Sequence, residues 1–234
     1  MNLTKSIEFK NFKFKNSKYK IHKLLKKLID ENNQILKSLS KSYKDSFKQS
    51  ELLKLKNYSN ILIIGMGGSI LGAKAIYNFC KSKIKKNFFF IDNLKNDNFD
   101  EIINKKKLNL IISKSGNTLE TIANSNIIIN KRDKNIFITE NKNNYLRSLA
   151  QELKSDIINH NNYIGGRYSV LSEVGMVPAK LMGLNVNKFR VYNQLIKNKK
   201  FTNLLINNVS SILSLIKKKK TNSVILNYDQ ISSD

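Results

Sequence analysis

The sequence is poor in the features that mark secreted and membrane-spanning proteins. Cys80 is the only cysteine among 234 residues, so no disulfide can form within the chain. The opening segment, MNLTKSIEFKNFKFKN, lacks the continuous apolar core of a secretory signal. No stretch approaches the ~20 apolar residues that a membrane-spanning helix requires. We therefore expect a cytoplasmic protein with no membrane partner.

Arginine is also scarce, although the formal net charge is +25. Such a charge is typical of proteins that bind nucleic acid or anionic membranes. However, only four of the 42 basic residues are arginine, the side chain that base readers and phosphate clamps favour. Lysine is spread from end to end, and runs such as 217–220 carry no interleaved aromatic residues. The charge predicts a solvated surface that attracts anionic substrates, with nucleic-acid binding as a remote alternative.

The apolar pattern changes its period along the chain. In segment 19–39 apolar residues recur at spacings of three and four, which predicts an amphipathic N-terminal helix. Short apolar runs typical of strands buried on both faces follow at 60–64, 88–91, 108–112 and 136–139. Helical patterns occupy 70–84, 119–129 and 145–153. This order predicts a three-layer α/β/α sandwich around a parallel sheet.

These patterns suggest three parts. We expect an N-terminal helical extension at 1–55, an α/β domain at 56–184, and a helical linker at 185–234. The linker holds helical patterns at 189–196 and 201–216, then a further buried strand at 223–228. The single proline, Pro178, marks no linker. His22 has no Cys, Asp or Glu at ligand spacing, so we assign it no metal, and we place His160 in a loop.

Glycine is rare, and its positions are informative. The nine glycines all lie between Gly65 and Gly183. Four of them fall in the segment GMGGSILG, which begins at Gly65, follows a predicted strand and leads into a predicted helix. This context would bring backbone N–H groups to a ligand, although the spacing fits neither a dinucleotide fingerprint nor a Walker loop. A tight turn with close helix packing is the alternative interpretation of this segment.

A second turn concentrates hydroxyl groups. The segment SKSGNTLET, which begins at Ser113, joins a predicted strand to a predicted helix. Free N–H groups at a helix start favour a dianion, and Ser113, Ser115 and Thr118 can donate to phosphate oxygens. Ordinary N-capping by Thr118 or Asn117 would explain one or two of these residues, but not the whole cluster. We predict a phosphate-binding turn.

A third segment, GGRYS, places one of the four arginines beside a glycine pair. Arg167 follows Gly165 and Gly166, and a guanidinium held by such a turn can stabilise a developing oxyanion. A structural ion pair is an equally good explanation of the arginine from this motif alone.

Together and in this order, the three segments resemble the glucose-6-phosphate isomerase family. The similarity covers about residues 60–183, and weakly the strand ending at Tyr228. The resemblance implies a flavodoxin-like sugar-isomerase domain around a parallel five-stranded sheet, with the strand at 223–228 opening a second such domain. It also implies reversible interconversion of glucose 6-phosphate and fructose 6-phosphate through a cis-enediol, in glycolysis and gluconeogenesis, and a homodimer when the protein is full length.

The resemblance also implies roles for particular residues. Ser113, Lys114, Ser115 and Thr118 would bind the substrate phosphate, and Arg167 would stabilise the enediolate. Gly68, Ser69 and Gly166 would contact the substrate. No metal or other cofactor is expected, since the chemistry needs a base and a positive group for the oxyanion.

The sequence departs from the family at its end. The family's base is expected soon after the Tyr228 region, and neither Glu120 nor Glu173 occupies its position. We therefore expect a truncated chain with no catalytic base within residues 1–234, which binds a hexose phosphate but turns it over poorly. A non-catalytic sugar-phosphate sensor built on the same domain is the alternative.

Overall fold

A five-stranded parallel sheet forms the centre of the structure, a computed structural model that describes residues 20–31, 33–94 and 105–222. The strands lie in the order β2-β1-β3-β4-β5. Their bounds are β1 (Asn60–Gly65), β2 (Asn87–Ile91), β3 (Lys107–Ile112), β4 (Lys134–Glu140) and β5 (Asp156–His160). The parallel sheet and the first four strands confirm the sequence-based predictions.

The helices lie on both sides of the sheet or outside it. They are α1 (Ile21–Asp30), α2 (Gln34–Ser38), α3 (Gln49–Leu53), α4 (Leu71–Cys80), α5 (Leu119–Ile128), α6 (Tyr145–Glu152), α7 (Glu173–Leu181), α8 (Tyr192–Lys197) and α9 (Lys199–Lys217). Short 3-10 helices occur at Gly67–Ser69, Lys81–Lys83, Gly166–Leu171 and Val186–Lys188. The patterns at 119–129, 145–153 and 201–216 correspond to α5, α6 and α9. The pattern at 70–84 covers α4 and the 3-10 turn that follows it.

The two faces of the sheet bury different residues because side chains alternate along a strand. On one face Ile61 and Ile63 of β1 pack in a cluster with residues of α3, α4 and α7. On the other face Leu62 and Ile64 pack in a cluster with residues of α5 and α6. All six residues of β3 are buried. The apolar runs are continuous because each strand has a core on both sides, which confirms the predicted three-layer sandwich.

The apolar pattern did not locate the fifth strand, although the resemblance implied a five-stranded sheet, and His160 was wrongly placed in a loop. Among the described strands β5 pairs with β4 alone, so it lies at the edge of their sheet. Its residues Asp156 and Asn159 are exposed, and only His160 is buried. An edge strand of this kind lacks a continuous apolar run, which was the sequence signal used for the other four strands.

The predicted single helix at 19–39 is two helices. Glu31 leaves the helical conformation, with φ −62° and ψ 131°. The side chain of Asn33 then accepts a hydrogen bond from the Ile35 N–H at 2.9 Å and caps the start of α2. Asparagine favours such a cap over a helix interior, so it divides a pattern whose apolar spacing is continuous.

By their internal contacts the described residues fall into two units. The larger is Lys44–Phe189 and contains the whole sheet. The smaller combines described residues up to Tyr43 with those from Arg190 onward, and within it α1 packs against α9. The division into 1–55, 56–184 and 185–234 stays a prediction, and the strand predicted at 223–228 lies outside the described residues. In the part that the structure describes, no helix is both long and apolar enough to span a membrane.

A polar cluster lies at the amino end of β3. The Lys107 ammonium, whose side chain is only 1% exposed, is 2.7 Å from the Asp133 carboxylate. The side-chain amide of Asn109 donates to the same carboxylate at 3.2 Å and to the Asn135 side chain at 2.8 Å. Removing one partner from a buried ion pair leaves an uncompensated charge in the protein interior.

We predict that Asp133→Ala lowers the free energy of unfolding by about 3 kcal/mol. The matched control is Asp156→Ala, because Asp156 pairs with Lys134 at 2.6 Å but is 63% exposed. Its loss should cost less than about 1 kcal/mol. Urea denaturation of both variants measures the difference, and equal losses would contradict the account.

Candidate functional site

The first two predicted turns lie side by side at the carboxyl edge of the sheet. The chain passes from β1 to β2 on one side, then crosses back to β3 on the other side of β1. Gly65 at the end of β1 is paired with Ile112 at the end of β3. In parallel α/β sheets, ligands bind in the crevice at such a switch point. The topology therefore places both turns where this fold class binds ligands.

The turn after β3 gathers three hydroxyl groups. The Ser113 and Thr118 side-chain oxygens are 2.9 Å apart, and each is 3.5 Å from the Ser115 oxygen. Ser113 is buried, Thr118 is half-buried and Ser115 is exposed. The cluster therefore runs from the end of the strand to the surface, with Ser115 on the solvent side.

Simple N-capping does not account for this cluster. Thr118 stands at the N-cap of α5, yet its side chain makes no capping hydrogen bond. The Asn117 side chain instead accepts a hydrogen bond from the Tyr145 N–H at 2.9 Å, at the start of α6. The first N–H groups of α5 are thus not satisfied by either of the two residues proposed as caps. The positive end of this ten-residue helix lies beside the three hydroxyls.

Gly116 fixes the shape of this turn. Its φ is +68°, and a Cβ at this position would overlap the Asn144 side chain. The Asn144 side chain caps α6 by accepting from the Arg147 N–H at 2.9 Å. The turn after β3 is therefore held against the start of α6, and only glycine fits at its centre.

The Lys114 ammonium is engaged by groups outside the hydroxyl cluster. It lies 3.3 Å from the Glu140 carboxylate and donates to the Asn162 carbonyl at 2.6 Å. Lys142 pairs with the other oxygen of Glu140 at 2.6 Å. Burial works to raise the pKa of Glu140, but the hydrogen bonds and charges of Lys142 and Lys114 outweigh it and hold the pKa below its usual value. The ammonium of Lys114 thus ties the turn after β3 to the end of β4.

The glycine turn and the arginine segment, far apart in sequence, meet backbone to backbone. A Cβ on Gly68 would lie 2.5 Å from the backbone of Gly166. The Ser169 hydroxyl is within hydrogen-bonding distance of both carbonyls, 2.9 Å from that of Gly68 and 2.8 Å from that of Gly166. Ser69, half-buried, follows in the same turn. Close backbone approach explains the glycine at position 68, whereas a Cβ on Gly166 would meet the Gly68 Cα at an ordinary 3.5 Å.

Arg167 lies in the 3-10 helix Gly166–Leu171 and is exposed. No ion pair joins its guanidinium to another residue of the described ranges. The described residues therefore give no support to the alternative interpretation, in which Arg167 forms a structural ion pair. Its position next to Gly166 places it beside the Gly65–Ser69 turn.

A buried pair beside the arginine segment was missed from the sequence. The His160 Nδ1 is 2.8 Å from Oε1 of Glu173, and the two side chains are 1% and 0% exposed. The same carboxylate oxygen accepts a hydrogen bond from the Asn161 N–H at 2.9 Å. Burial works to raise the pKa of Glu173, but bonds from His160 and two backbone N–H groups hold the pKa below its usual value.

No grouping of three or more His, Cys, Asp or Glu side chains suited to a metal ion occurs within residues 20–31, 33–94 and 105–222. The arrangement at the sheet edge instead offers hydroxyl groups, helix N–H groups and one exposed guanidinium. Such a set can bind an anionic group at the helix start and stabilise a second negative charge near Arg167.

Comparison with known proteins points to one family. A family model described as Phosphoglucose isomerase matches residues 25–231. The glucose-6-phosphate isomerase of Methanocaldococcus jannaschii is 35% identical over 191 residues, which make up 74% of this chain and 47% of that protein. The chain thus spans less than half the length of this curated relative.

Solved structures agree on the fold. A hypothetical protein from Thermus thermophilus superposes with a TM-score of 0.61 at 22% identity, over 84% of this chain and 51% of that one. The tagatose-6-phosphate ketose/aldose isomerase of Escherichia coli superposes with a TM-score of 0.50 at 16% identity, over 70% of this chain and 47% of that one. At these identities the likeness establishes the architecture alone.

The close approach of Gly68 and Gly166 generates a stability prediction. We expect Gly68→Ala to lower the free energy of unfolding by about 1–3 kcal/mol, because the added methyl group must push the two turns apart. Gly165→Ala is the matched control, since a Cβ there meets only the Tyr168 ring, at 4.0 Å. Urea denaturation should show that the control is within about 0.5 kcal/mol of the parent. Equal effects at the two positions would show that the backbones are not in contact.

Proposed function

This chain belongs to the phosphoglucose isomerase family, and on that premise we propose that it binds a hexose phosphate for the interconversion of glucose 6-phosphate and fructose 6-phosphate. The observation that carries the proposal is the hydroxyl cluster at the start of α5. Ser113, Ser115 and Thr118 stand together where the helix N–H groups are left without a side-chain cap. A phosphate dianion would satisfy both sets of donors at once.

The proposed roles of the phosphate-binding residues follow from their positions. Ser115 and Thr118 would donate directly to phosphate oxygens, and Ser113, which is buried, would orient Thr118 from 2.9 Å away. Lys114 would contribute through its backbone and its positive field, because its ammonium is engaged by Glu140 and Asn162. Bonds to a charged acceptor are the stronger class of hydrogen bond, so a few hydroxyls suffice to select phosphate.

Arg167 would act at the other end of the substrate. Aldose-ketose isomerisation moves a proton between C1 and C2 and places negative charge on the neighbouring oxygens. An exposed guanidinium beside the contact of Gly68 and Gly166 can stabilise that charge. The sugar would lie between Arg167 and the turn after β3, in contact with Gly68, Ser69 and Gly166.

Two carboxylates near these turns, Glu140 and Glu173, are already engaged, and a third, Glu120, lies in the first turn of α5 beside the proposed phosphate site. Glu140 is paired with two lysines, and Glu173 is buried against His160 and Asn161. We therefore propose that none of these three carries the proton between carbon atoms and that the base lies outside the described residues. The same observation favours a second candidate function, a sugar-phosphate-binding domain without catalysis of its own.

Fructose 6-phosphate binding tests the proposed phosphate turn. We expect Ser115→Ala and Thr118→Ala each to weaken binding about tenfold or more in isothermal titration calorimetry, since each removes a donor to a charged acceptor. Ser82→Ala is the matched control, because Ser82 is exposed in the Lys81–Lys83 turn that precedes β2. Its affinity should equal that of the parent, and equal tolerance of all three substitutions would refute the phosphate turn.

Exchange of the substrate's C1 or C2 proton with solvent tests whether a catalytic base lies within this chain. We expect the 234-residue chain to bind fructose 6-phosphate yet to exchange this proton slowly, because a missing general base costs about 10²–10⁴-fold. Rapid exchange, measured by proton NMR in deuterated water, would show that the base is present in this chain.

A further inference from the structure

Resting on the proposed function of Arg167, we propose that Glu173 is a positioning residue that holds the arginine segment in its binding conformation. Arg167 lies in the loop that leaves β5 after His160 and returns to α7 at Glu173. One carboxylate oxygen of Glu173 meets both His160 Nδ1, at 2.8 Å, and the Asn161 N–H, at 2.9 Å. The first residue of α7 is thereby fastened to the last residue of β5, and the two ends of the loop are joined.

Further hydrogen bonds hold the backbone inside the loop between β5 and α7. The Ser172 hydroxyl, next to Glu173, donates to the Ser169 carbonyl at 2.6 Å. The Ser169 hydroxyl in turn meets the carbonyls of Gly68 and Gly166 at 2.9 and 2.8 Å. Arg167 follows Gly166 directly, so these short hydrogen bonds connect its backbone to Ser172, the residue before Glu173. Lys114 adds a bond from the phosphate turn to the Asn162 carbonyl at 2.6 Å.

Stabilisation of the fold does not by itself account for the buried pair of His160 and Glu173. Both side chains are at most 1% exposed, and replacing a buried polar pair by apolar residues of similar volume is often neutral or stabilising. What apolar side chains cannot supply is an acceptor for the Asn161 N–H and a fixed distance between β5 and α7. A guanidinium that must meet a developing charge needs such a fixed support, because small displacements weaken the interaction steeply.

The affinities of two phosphorylated ligands that differ at one carbon distinguish a positioning role of Glu173 from a role in fold stability alone. Arabinonate 5-phosphate carries a carboxylate where the enediolate charge would develop, and arabinitol 5-phosphate carries a neutral hydroxymethyl group there. If Glu173 acts through Arg167, Glu173→Ala weakens the acid about tenfold or more and changes the neutral ligand less than twofold. Glu173→Gln keeps an acceptor for both N–H groups, so it should stay within about threefold of the parent for the acid.

A double-mutant cycle then asks whether the effect passes through the arginine. Arg167→Ala should weaken the acid selectively, and adding Glu173→Ala to it should cause no further loss. Circular dichroism establishes first that each variant is folded. If Glu173→Ala fails to fold, Glu173→Asp takes its place, because the shorter side chain keeps the charge but cannot reach both donors.

The outcomes divide clearly. Equal weakening of both ligands, full additivity with Arg167→Ala, or no effect of the Glu173 substitutions would overturn the positioning role while the proposed function stands. A parent chain that binds neither ligand, or an Arg167→Ala variant that binds the acid as well as the parent, would overturn the proposed function itself. Selective, non-additive loss with recovery in Glu173→Gln supports the inference.

Discussion

Two stretches of backbone, at Gly68 and Gly166, approach so closely that a Cβ on Gly68 would lie 2.5 Å from the Gly166 backbone. The candidate site depends on this contact, because it joins the turn after β1 to the segment that carries Arg167. The parallel pairing of β1 with β3 then sets the turn after β3, which we propose binds phosphate, beside both. Three segments separated by up to about a hundred residues thus meet at one edge of the sheet, where the strand order reverses.

The chemistry of the site differs from the charge of the whole chain. A net charge of +25 is carried mostly by dispersed lysines, and it can draw anions towards the protein without selecting among them. Selection would come from the neutral hydroxyls of Ser113, Ser115 and Thr118 and from the N–H groups of α5. Lys114, the cation nearest to them in sequence, is held by Glu140 and Asn162. In this account, local geometry rather than net charge determines what binds.

Sequence patterns predicted the parts of the fold that depend on burial. The runs at 60–64, 88–91, 108–112 and 136–139 were recognisable because those strands are covered by helices on both faces. The apolar pattern did not predict β5, because an edge strand with exposed Asp156 and Asn159 has no such run. Asn33 divided the N-terminal helix because a single capping side chain outweighs an apolar period.

The motifs likewise indicated where the site would be, but not how its side chains pair. Thr118 could be read as a cap or as a phosphate ligand until its missing capping bond was seen. The direction of the Lys114 ammonium depends on Glu140, which is distant in sequence. The pair of His160 and Glu173 depends on the path of the loop between them, and neither residue lies in a pattern that local periodicity could detect.

The central claim is that a sugar phosphate binds at the start of α5. Titration of the isotope-labelled chain with glucose 6-phosphate, followed by amide chemical shifts in NMR, tests it most directly. The account predicts that the largest shifts fall in residues 115–121, with smaller ones near Gly68 and Gly166. Shifts spread over the lysine-rich surface, for example at 217–220, with the α5 amides unmoved, would contradict it.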